Sequence, residues 1–296
     1  MTFALFVEQI FNGVQLGMLL FLVAVGVTLV FGVMNLVNLS QGSLVMLGGF
    51  FFASALKTTG SWMLAVPLAI AGLAVVAVLV ETLVLRQLYS RPHIDQVLAT
   101  FGLLLMFNEA VVMIWGRDPM FIAIPPMLSG SVTLLPGVEY PVYRLAVTGV
   151  AASLGVALHV LVTRTRLGML IRAGADKRDM IQLLGVNIGF LYLVVFVLGA
   201  ILGGVAGMLL GPIAAVNTGM GDPVLILALV CVVIGGLGSI GGAFAAAMTI
   251  GVADTFGRVL LPQILGAGTG QAMANMIVYL VMAAMLVWRP AGLASR

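Results

Sequence analysis

Charged residues are scarce in this 296-residue chain, at 8% of the sequence, whereas 62% of the residues are hydrophobic. A soluble domain carries about 25% charged residues, because its surface must be solvated. Thirteen basic and ten acidic side chains cannot cover a surface of this size. A soluble fold is therefore excluded, and most of the surface must face lipid.

Residues that support catalysis are also rare. Cys231 is the single cysteine, so no internal disulfide can form. The two lysines, Lys57 and Lys177, follow Leu56 and Asp176, so no Gly-Lys-Ser/Thr phosphate-binding loop is present. The sequence offers no metal-ligand cluster and no Ser/His/Asp constellation. We expect neither an enzyme nor a bound cofactor, and any ATP used would be hydrolysed by another chain.

Long apolar runs are abundant, and a helix needs about 20 such residues to cross the hydrocarbon core. The runs predict an all-α polytopic membrane protein of eight or nine transmembrane helices, with one or two interrupted or re-entrant segments. We expect residues 1–296 to form one transmembrane domain. The predicted spans are 8–33, 62–84, 95–115, 143–163, 189–211, 223–241 and 271–288, with shorter or glycine-rich segments at 41–56 and 243–261.

Basic residues predict the orientation, because cytoplasmic loops carry an excess of Lys and Arg. Nine of the thirteen fall on one side of the predicted spans, namely Arg86, Arg91, Arg164, Arg166, Arg172, Lys177, Arg178, Arg289 and Arg296. The N-terminus is then expected outside and the C-terminus in the cytoplasm. The longest outer loop, 116–142, is interpreted as a surface connection, with a lid or docking surface as the alternative.

Three stretches interrupt the helical pattern, at 33–42, 235–242 and 265–271, the last interpreted as an outer loop. The first contains Asn35, Asn38, Ser40 and Gln41. Backbone that leaves a helix at membrane depth must be buried in protein or line a cavity. Interrupted segments in both halves of a chain are typical of the central site of a transporter. The glycines of 235–242 fit close helix packing or a tight turn equally well.

Ionisable residues inside the spans are few. Asp254 and Arg258 are spaced to pair on one helix face. Glu109 is expected to face the bundle interior, and Glu81 to extend toward the interface. We interpret His159, alone on an apolar helix, as a hydrogen-bonded core residue. These groups are too sparse for a proton relay.

The inner loop 164–188 is the most informative polar stretch. Asp176 is a suitable N-cap and Gly185 a suitable helix stop, and between them Met180, Leu183 and Leu184 share one helical face. A two-turn helix is unstable alone in water, so its apolar face should rest on something. That support is either the membrane or the bundle itself, or a groove on a cytoplasmic partner.

This loop resembles the cytoplasmic coupling segment of permeases of branched-chain amino acid ABC importers. The matching residues are Thr165, Gly168, Ile171, Arg172, Ala173, Ala175, Leu183, Gly185, Val186 and Asn187. The similarity continues at 31–48, at Ala99-Thr-Phe-Gly102 with Trp115-Gly116, and at 235–243. The length fits the shorter of the family's two permease subunits. Many relatives carry histidine where this chain has Gln41.

The resemblance implies an importer subunit of the plasma (bacterial inner) membrane. Its implied partners are a second permease, two cytoplasmic ATPase subunits and an extracytoplasmic binding protein. For coupling to the ATPases we predict Arg172, Ala173, Asp176, Leu184 and Gly185, and for the translocation path Asn35, Asn38, Gln41, Gly42, Thr100, Asn108 and Ser239. The alternatives are a urea or short-chain amide permease of the same family, an ion-coupled secondary transporter, or a passive channel.

Overall fold

The computed structural model describes residues 3–135, 138–176, 182–183, 185–289 and 292–293. Seven of its helices are long and apolar enough to cross a bilayer, which confirms the predicted all-α membrane fold. Three others are shorter or less apolar, namely α2, α6 and α8 below. In chain order the helices are α1 (Phe3–Met34), α2 (Gln41–Thr59), α3 (Trp62–Leu88), α4 (His93–Trp115), α5 (Val142–Arg164), α6 (Arg166–Asp176), α7 (Ile188–Ala214), α8 (Gly221–Gly235), α9 (Ile240–Leu265) and α10 (Ala267–Trp288).

Helix α1 lies at the centre of the bundle. Within the chain, 78% of its most apolar stretch is buried, against 17% for α10. It packs most extensively along α9 and α7. Small residues allow this approach, since a Cβ on Gly17 would lie 2.9 Å from the carbonyl oxygen of Ala247 on α9. Helices α3, α4, α5 and α10 surround this centre and present apolar side chains outward.

Helices α2 and α8 both begin inside the bundle. The Nε2 atom of Gln41, the first residue of α2, donates to the carbonyl oxygen of Gly199 over 2.8 Å. Gly199 lies near the middle of α7, and Gly42 contacts Gly221 at the start of α8. Each helix is preceded by six residues outside regular helix, 35–40 (link 1) and 215–220 (link 2).

Two predicted boundaries are wrong. The predicted span 223–241 ends early, because α8 stops at Gly235 and a turn separates it from α9. Gly236 and Gly238 have φ angles of 93° and 84° in that turn, which glycine adopts without a Cβ penalty. The predicted outer loop 265–271 is reduced to Gly266, because α10 begins at Ala267. The uncertain segments 41–56 and 243–261 are helical, within α2 and α9.

The connection between α4 and α5 contains a two-stranded antiparallel hairpin, which the sequence did not indicate. Strand β1 (Ser131–Leu135) pairs with β2 (Val138–Pro141). Earlier in the same connection, Met120 and Val216 exchange backbone hydrogen bonds of 2.8 and 2.9 Å. The connection therefore supports link 2 from outside the bundle.

Candidate translocation path

The starts of α2 and α8 meet at a pair of glycines. A Cβ on Gly42 would lie 2.9 Å from the carbonyl oxygen of Gly221, and a Cβ on Gly221 would overlap the carbonyl oxygen of Gly42. Only glycine at both positions permits this backbone approach. Two helix starts therefore lie side by side at the depth of Gly199. The first amides of each helix carry partial positive charge, so two partially positive ends are close together there.

Link 1 is held by its own side chains. The Oδ1 atom of Asn38 accepts hydrogen bonds from the amide and the hydroxyl of Ser40, over 3.0 and 2.6 Å. Gln41 joins the link to α7 through Gly199. Asn38, Ser40 and Gln41 are fully buried. These bonds satisfy polar groups that lipid could not, so the link is stable at membrane depth.

Helix α4 packs against link 1. The hydroxyl of Thr100, which is fully buried, lies 3.3 Å from the carbonyl oxygen of Val37 and 3.0 Å from that of Gln96 within α4, so it can donate its proton to either. Asn35, at the start of the link, is exposed and has a φ angle of 53°. Thr100, Asn38, Gln41 and Gly42 thus lie together, whereas Asn35 lies at the edge of this group.

Asn108 forms the polar contact between α4 and α8. Its Nδ2 donates to Oδ2 of Asp222, in the first turn of α8, over 3.3 Å. The other side-chain oxygens of both residues are buried and have no hydrogen-bond partner among the described residues. One carboxylate oxygen and one amide oxygen at this contact therefore lack a donor in the part of the chain that the structure describes.

Asp222 and link 2 were missed in the sequence. Asp222 precedes Pro223, and Pro212, Gly219 and Gly221 lie close by. Asp followed by Pro at the start of an apolar run is a recognised helix-start signal, so the segment could have been read as a second interruption. The neighbouring apolar residues favoured one continuous span instead.

Ser239 lies in a different part of the structure. Its hydroxyl oxygen accepts from the amide of Gly242 at the start of α9. It also lines a cavity of about 1170 Å³ beside α1, α5 and α6. His159 lines the same cavity and is exposed, so its interpretation as a core residue is wrong. Glu109 is exposed on α4, and its predicted inward orientation is also wrong.

The predicted coupling residues lie around α6. Arg172 donates from its guanidinium to the carbonyl oxygen of Val162 on α5, and Ala173 is half-buried. Gly185 has a φ angle of 82°, which suits a helix-ending glycine. Asp176 is the last residue of α6, a helix within the segment 164–188 that the sequence predicts to be an inner loop. The predicted short helix after it, including Leu184, lies largely outside the described residues.

A buried carboxylate near the end of α3 bonds to Tyr89, whose ring contacts the start of α7. Glu81 is fully buried and accepts from the hydroxyl of Tyr89 over 2.6 Å, so it does not extend toward the interface as predicted. Burial, and then the hydrogen bond to Glu81, raise the pKa of Tyr89, which keeps its hydroxyl protonated as a donor. The ring of Tyr89 packs edge-on against Tyr192.

The predicted pair on α9 is confirmed. Arg258 Nε lies 2.8 Å from Oδ2 of Asp254, four residues earlier. Arg258 also reaches Asn275 on α10. Among the described residues, no three His, Cys, Asp or Glu side chains converge in a way that would hold a metal ion.

A helical membrane bundle in which two helices begin at mid-depth has the architecture of a membrane transport protein. Residues 9–287 match the family model described as the permease component of branched-chain amino acid transport systems. The chain belongs to this family, whose members are transport permeases rather than enzymes.

Individual relatives agree with this assignment. The chain is 27% identical to the high-affinity branched-chain amino acid transport system permease protein BraD of Pseudomonas aeruginosa, over 98% of this chain and 96% of that protein. It is 29% identical to LivH of Escherichia coli K12, over 88% of each chain. A probable LivH of Methanocaldococcus jannaschii is 25% identical over 93% of this chain and 88% of that protein. No solved structure shows a significant match.

Proposed function

We propose that this chain is the shorter permease subunit of an ABC importer for branched-chain or related amino acids. The meeting of α2 and α8 at Gly42 and Gly221 carries the proposal, because it places two helix starts and a polar group at membrane depth. The relatives named as branched-chain amino acid permeases support this choice of cargo.

In this proposal the translocation path runs beside the contact between α4 and α8. An amino acid crosses as a zwitterion, so a path must tolerate both charges. The unpartnered oxygens of Asn108 and Asp222 suit an ammonium group, and the two helix starts suit a carboxylate. Asn38, Gln41 and Thr100 support this region from within the chain. Their direct exposure to the path, like that of Asn35, Gly42 and Ser239, stays a prediction.

Gln41 is the residue at which the alternative cargo, urea or a short-chain amide, can be considered. Its side chain is fully buried and donates to Gly199, so it supports link 1. The departure from histidine at this position therefore gives no support to urea or short-chain amides as the cargo.

Coupling in this proposal runs through α7. The segment 164–188 docks on an ATPase subunit, and α7 follows it directly, with the side chain of Asn187 accepting from the amide of Phe190. Twelve residues into α7, Gly199 contacts Gln41 at the start of α2. A displacement of the loop would thus reach link 1 along a single helix, and α6 would move with it through Arg172. Such a lever works only if its contacts differ between the two states of the transporter.

The remaining partners complete the importer. A second permease covers part of the exposed apolar surface, two ATPases bind on the cytoplasmic side, and a binding protein delivers the cargo outside. The N-terminus is placed outside and the C-terminus in the cytoplasm of the plasma membrane, in line with the basic residues of the inner loops.

Uptake into proteoliposomes tests the proposal. The chain is reconstituted with the second permease, the two ATPases and the binding protein, and uptake of labelled leucine is followed with and without ATP. We expect uptake only with ATP and all partners. Uphill uptake by the chain alone, driven by a sodium or proton gradient, would contradict the proposal.

The docking step has its own test. Deleting residues 176–184 should abolish co-purification of the ATPases while the permease pair still assembles. A deletion variant that retains the ATPases would show that the contact lies elsewhere.

A further inference from the structure

A groove runs along one flank of the bundle, apart from the α2–α8 contact. It is the cavity of about 1170 Å³ bounded by α1, α5, α6 and the turn between α8 and α9. Phe21, Val156, Leu237 and Phe244 are among its apolar walls. Small-molecule pockets usually hold about 300–1,000 Å³, so this groove exceeds what an amino acid would need.

The α5 wall of the groove is about as long as one leaflet of a bilayer. Its α5 wall extends from Ala152 to Thr163, which corresponds to about 16 Å at 1.5 Å per residue. Half of a hydrocarbon core about 30 Å thick is about 15 Å. The α1 wall, from Met18 to Val33, is longer at about 22 Å. The groove therefore reaches from one interface at least to the bilayer centre.

Polar and basic residues collect at the interfacial end. His159, Thr163 and Arg172 line the groove there, and all three are exposed. The guanidinium of Arg172 is held against the carbonyl oxygen of Val162. No carboxylate occurs among the described residues that line the groove. Among the described lining residues, Arg172 thus makes this end positive, while the walls toward the bilayer centre are apolar.

We propose that this groove binds one phospholipid with an anionic headgroup. Its acyl chains lie against Phe21, Val156 and Phe244, and its phosphate is bound at Arg172 and His159. Basic pockets between transmembrane helices at an interface are suited to anionic headgroups, and apolar walls of leaflet length are suited to acyl chains. The proposal requires that the chain span a bilayer, but it does not depend on which solute is carried.

Native mass spectrometry of the purified full chain tests the lipid preference. Detergent-solubilised protein is titrated with phosphatidylglycerol and, separately, with phosphatidylcholine of the same acyl chains. We expect one phosphatidylglycerol to be retained with at least fivefold higher affinity than phosphatidylcholine. Equal retention of the two lipids would overturn the proposal.

A matched pair of variants on α5 locates the bound lipid. Val156 lines the groove and is 64% exposed, whereas Val160 is 48% exposed and lies outside it. Because both side chains are exposed, tryptophan at either position should leave the fold intact. Val156→Trp should remove the retained lipid, and Val160→Trp should keep it. Lipid retention by Val156→Trp at the wild-type level would place the lipid elsewhere and overturn the proposal.

A second pair tests the headgroup contact. Arg172→Gln should weaken phosphatidylglycerol binding about fivefold, since one basic residue near an anionic surface contributes about 1 kcal/mol. Arg164→Gln is the control, because Arg164 lies on the same end of the bundle but does not line the groove. Equal weakening by both variants would indicate a diffuse surface charge and overturn the specific site.

Discussion

Links 1 and 2 occupy corresponding places in the two halves of the chain. Each has six residues, follows a long helix and precedes a helix that begins at mid-depth. Each also begins with a residue of positive φ other than glycine, Asn35 at 53° and Ala215 at 58°. No other described residue except glycine has a positive φ.

The two links are stabilised differently. Link 1 is largely buried, and Asn38, Ser40 and Gln41 satisfy its polar groups. Link 2 is partly exposed and is held from outside, by the backbone of Met120. The sulfur of Met46 also lies 3.3 Å from the amide of Gly219.

The different stabilisation of the two links suggests that link 1 supports the fold and that the region of link 2 serves transport. Link 1 fixes the start of α2 within the chain, whereas Asp222, just after link 2, has one buried oxygen without a hydrogen-bond partner among the described residues. We therefore expect substitutions in link 1 and at the adjoining Gln41 to lower stability, and substitution of Asp222, just after link 2, to change transport more than stability. Four predictions test this contrast, beginning with the contact between the two helices that follow the links.

Gly221→Ala should have the largest effect. The new Cβ would overlap the carbonyl oxygen of Gly42, and overpacking of this kind costs about 3 kcal/mol. We expect a lower thermal midpoint in detergent and loss of uptake. Gly102→Ala is the control, because a Cβ there meets nothing within 4 Å. Similar midpoints for the two variants would show that α2 and α8 do not need this approach.

Gln41→Ala should have the second-largest effect. It removes the buried hydrogen bond to Gly199 and leaves polar groups unsatisfied, at a cost of about 2 kcal/mol. Asn217→Ala in link 2 is the matched change, and we expect it to alter stability by less than about 0.5 kcal/mol because Asn217 is exposed. The comparison fails if the thermal midpoint of Asn217→Ala falls as far as that of Gln41→Ala.

Asp222→Asn should reduce ATP-dependent leucine uptake about tenfold, since hydrogen bonds to charged groups contribute about 1.5–3 kcal/mol. Its thermal midpoint should not fall, because the substitution removes a poorly partnered carboxylate. Uptake and melting are measured on the same preparation. Unchanged uptake would remove Asp222 from the path.

Ala215→Gly should have the smallest effect, and a favourable one. Ala215 combines a φ of 58° with a ψ of 153°, a region that is essentially restricted to glycine. Release of this strain should stabilise the protein by about 1 kcal/mol after the entropy cost of glycine. Asn35→Gly should be nearly neutral, because asparagine tolerates positive φ. A lower midpoint for Ala215→Gly would mean that this backbone is unstrained.

Sequence reasoning found link 1 because its polar residues follow one another along the chain. Asn38, Ser40 and Gln41 stand between apolar runs, and the bond between Asn38 and Ser40 lies within the link. The bond from Gln41 to the distant Gly199 was not foreseeable from the sequence. Link 2 was missed because its main support, Met120, is almost a hundred residues away. The exposure of His159 and Glu109 was misjudged because composition does not tell which face of an apolar helix is covered.

The sequence by itself determined the membrane class, most of the spanning helices and the family, because apolar run length and local motifs are properties of neighbouring residues. Only the tertiary structure decided that α2 and α8 begin beside each other, that Asn108 reaches Asp222, and that one flank carries a long, largely apolar groove. These features join residues far apart in the chain, and they depend on how closely the helices pack.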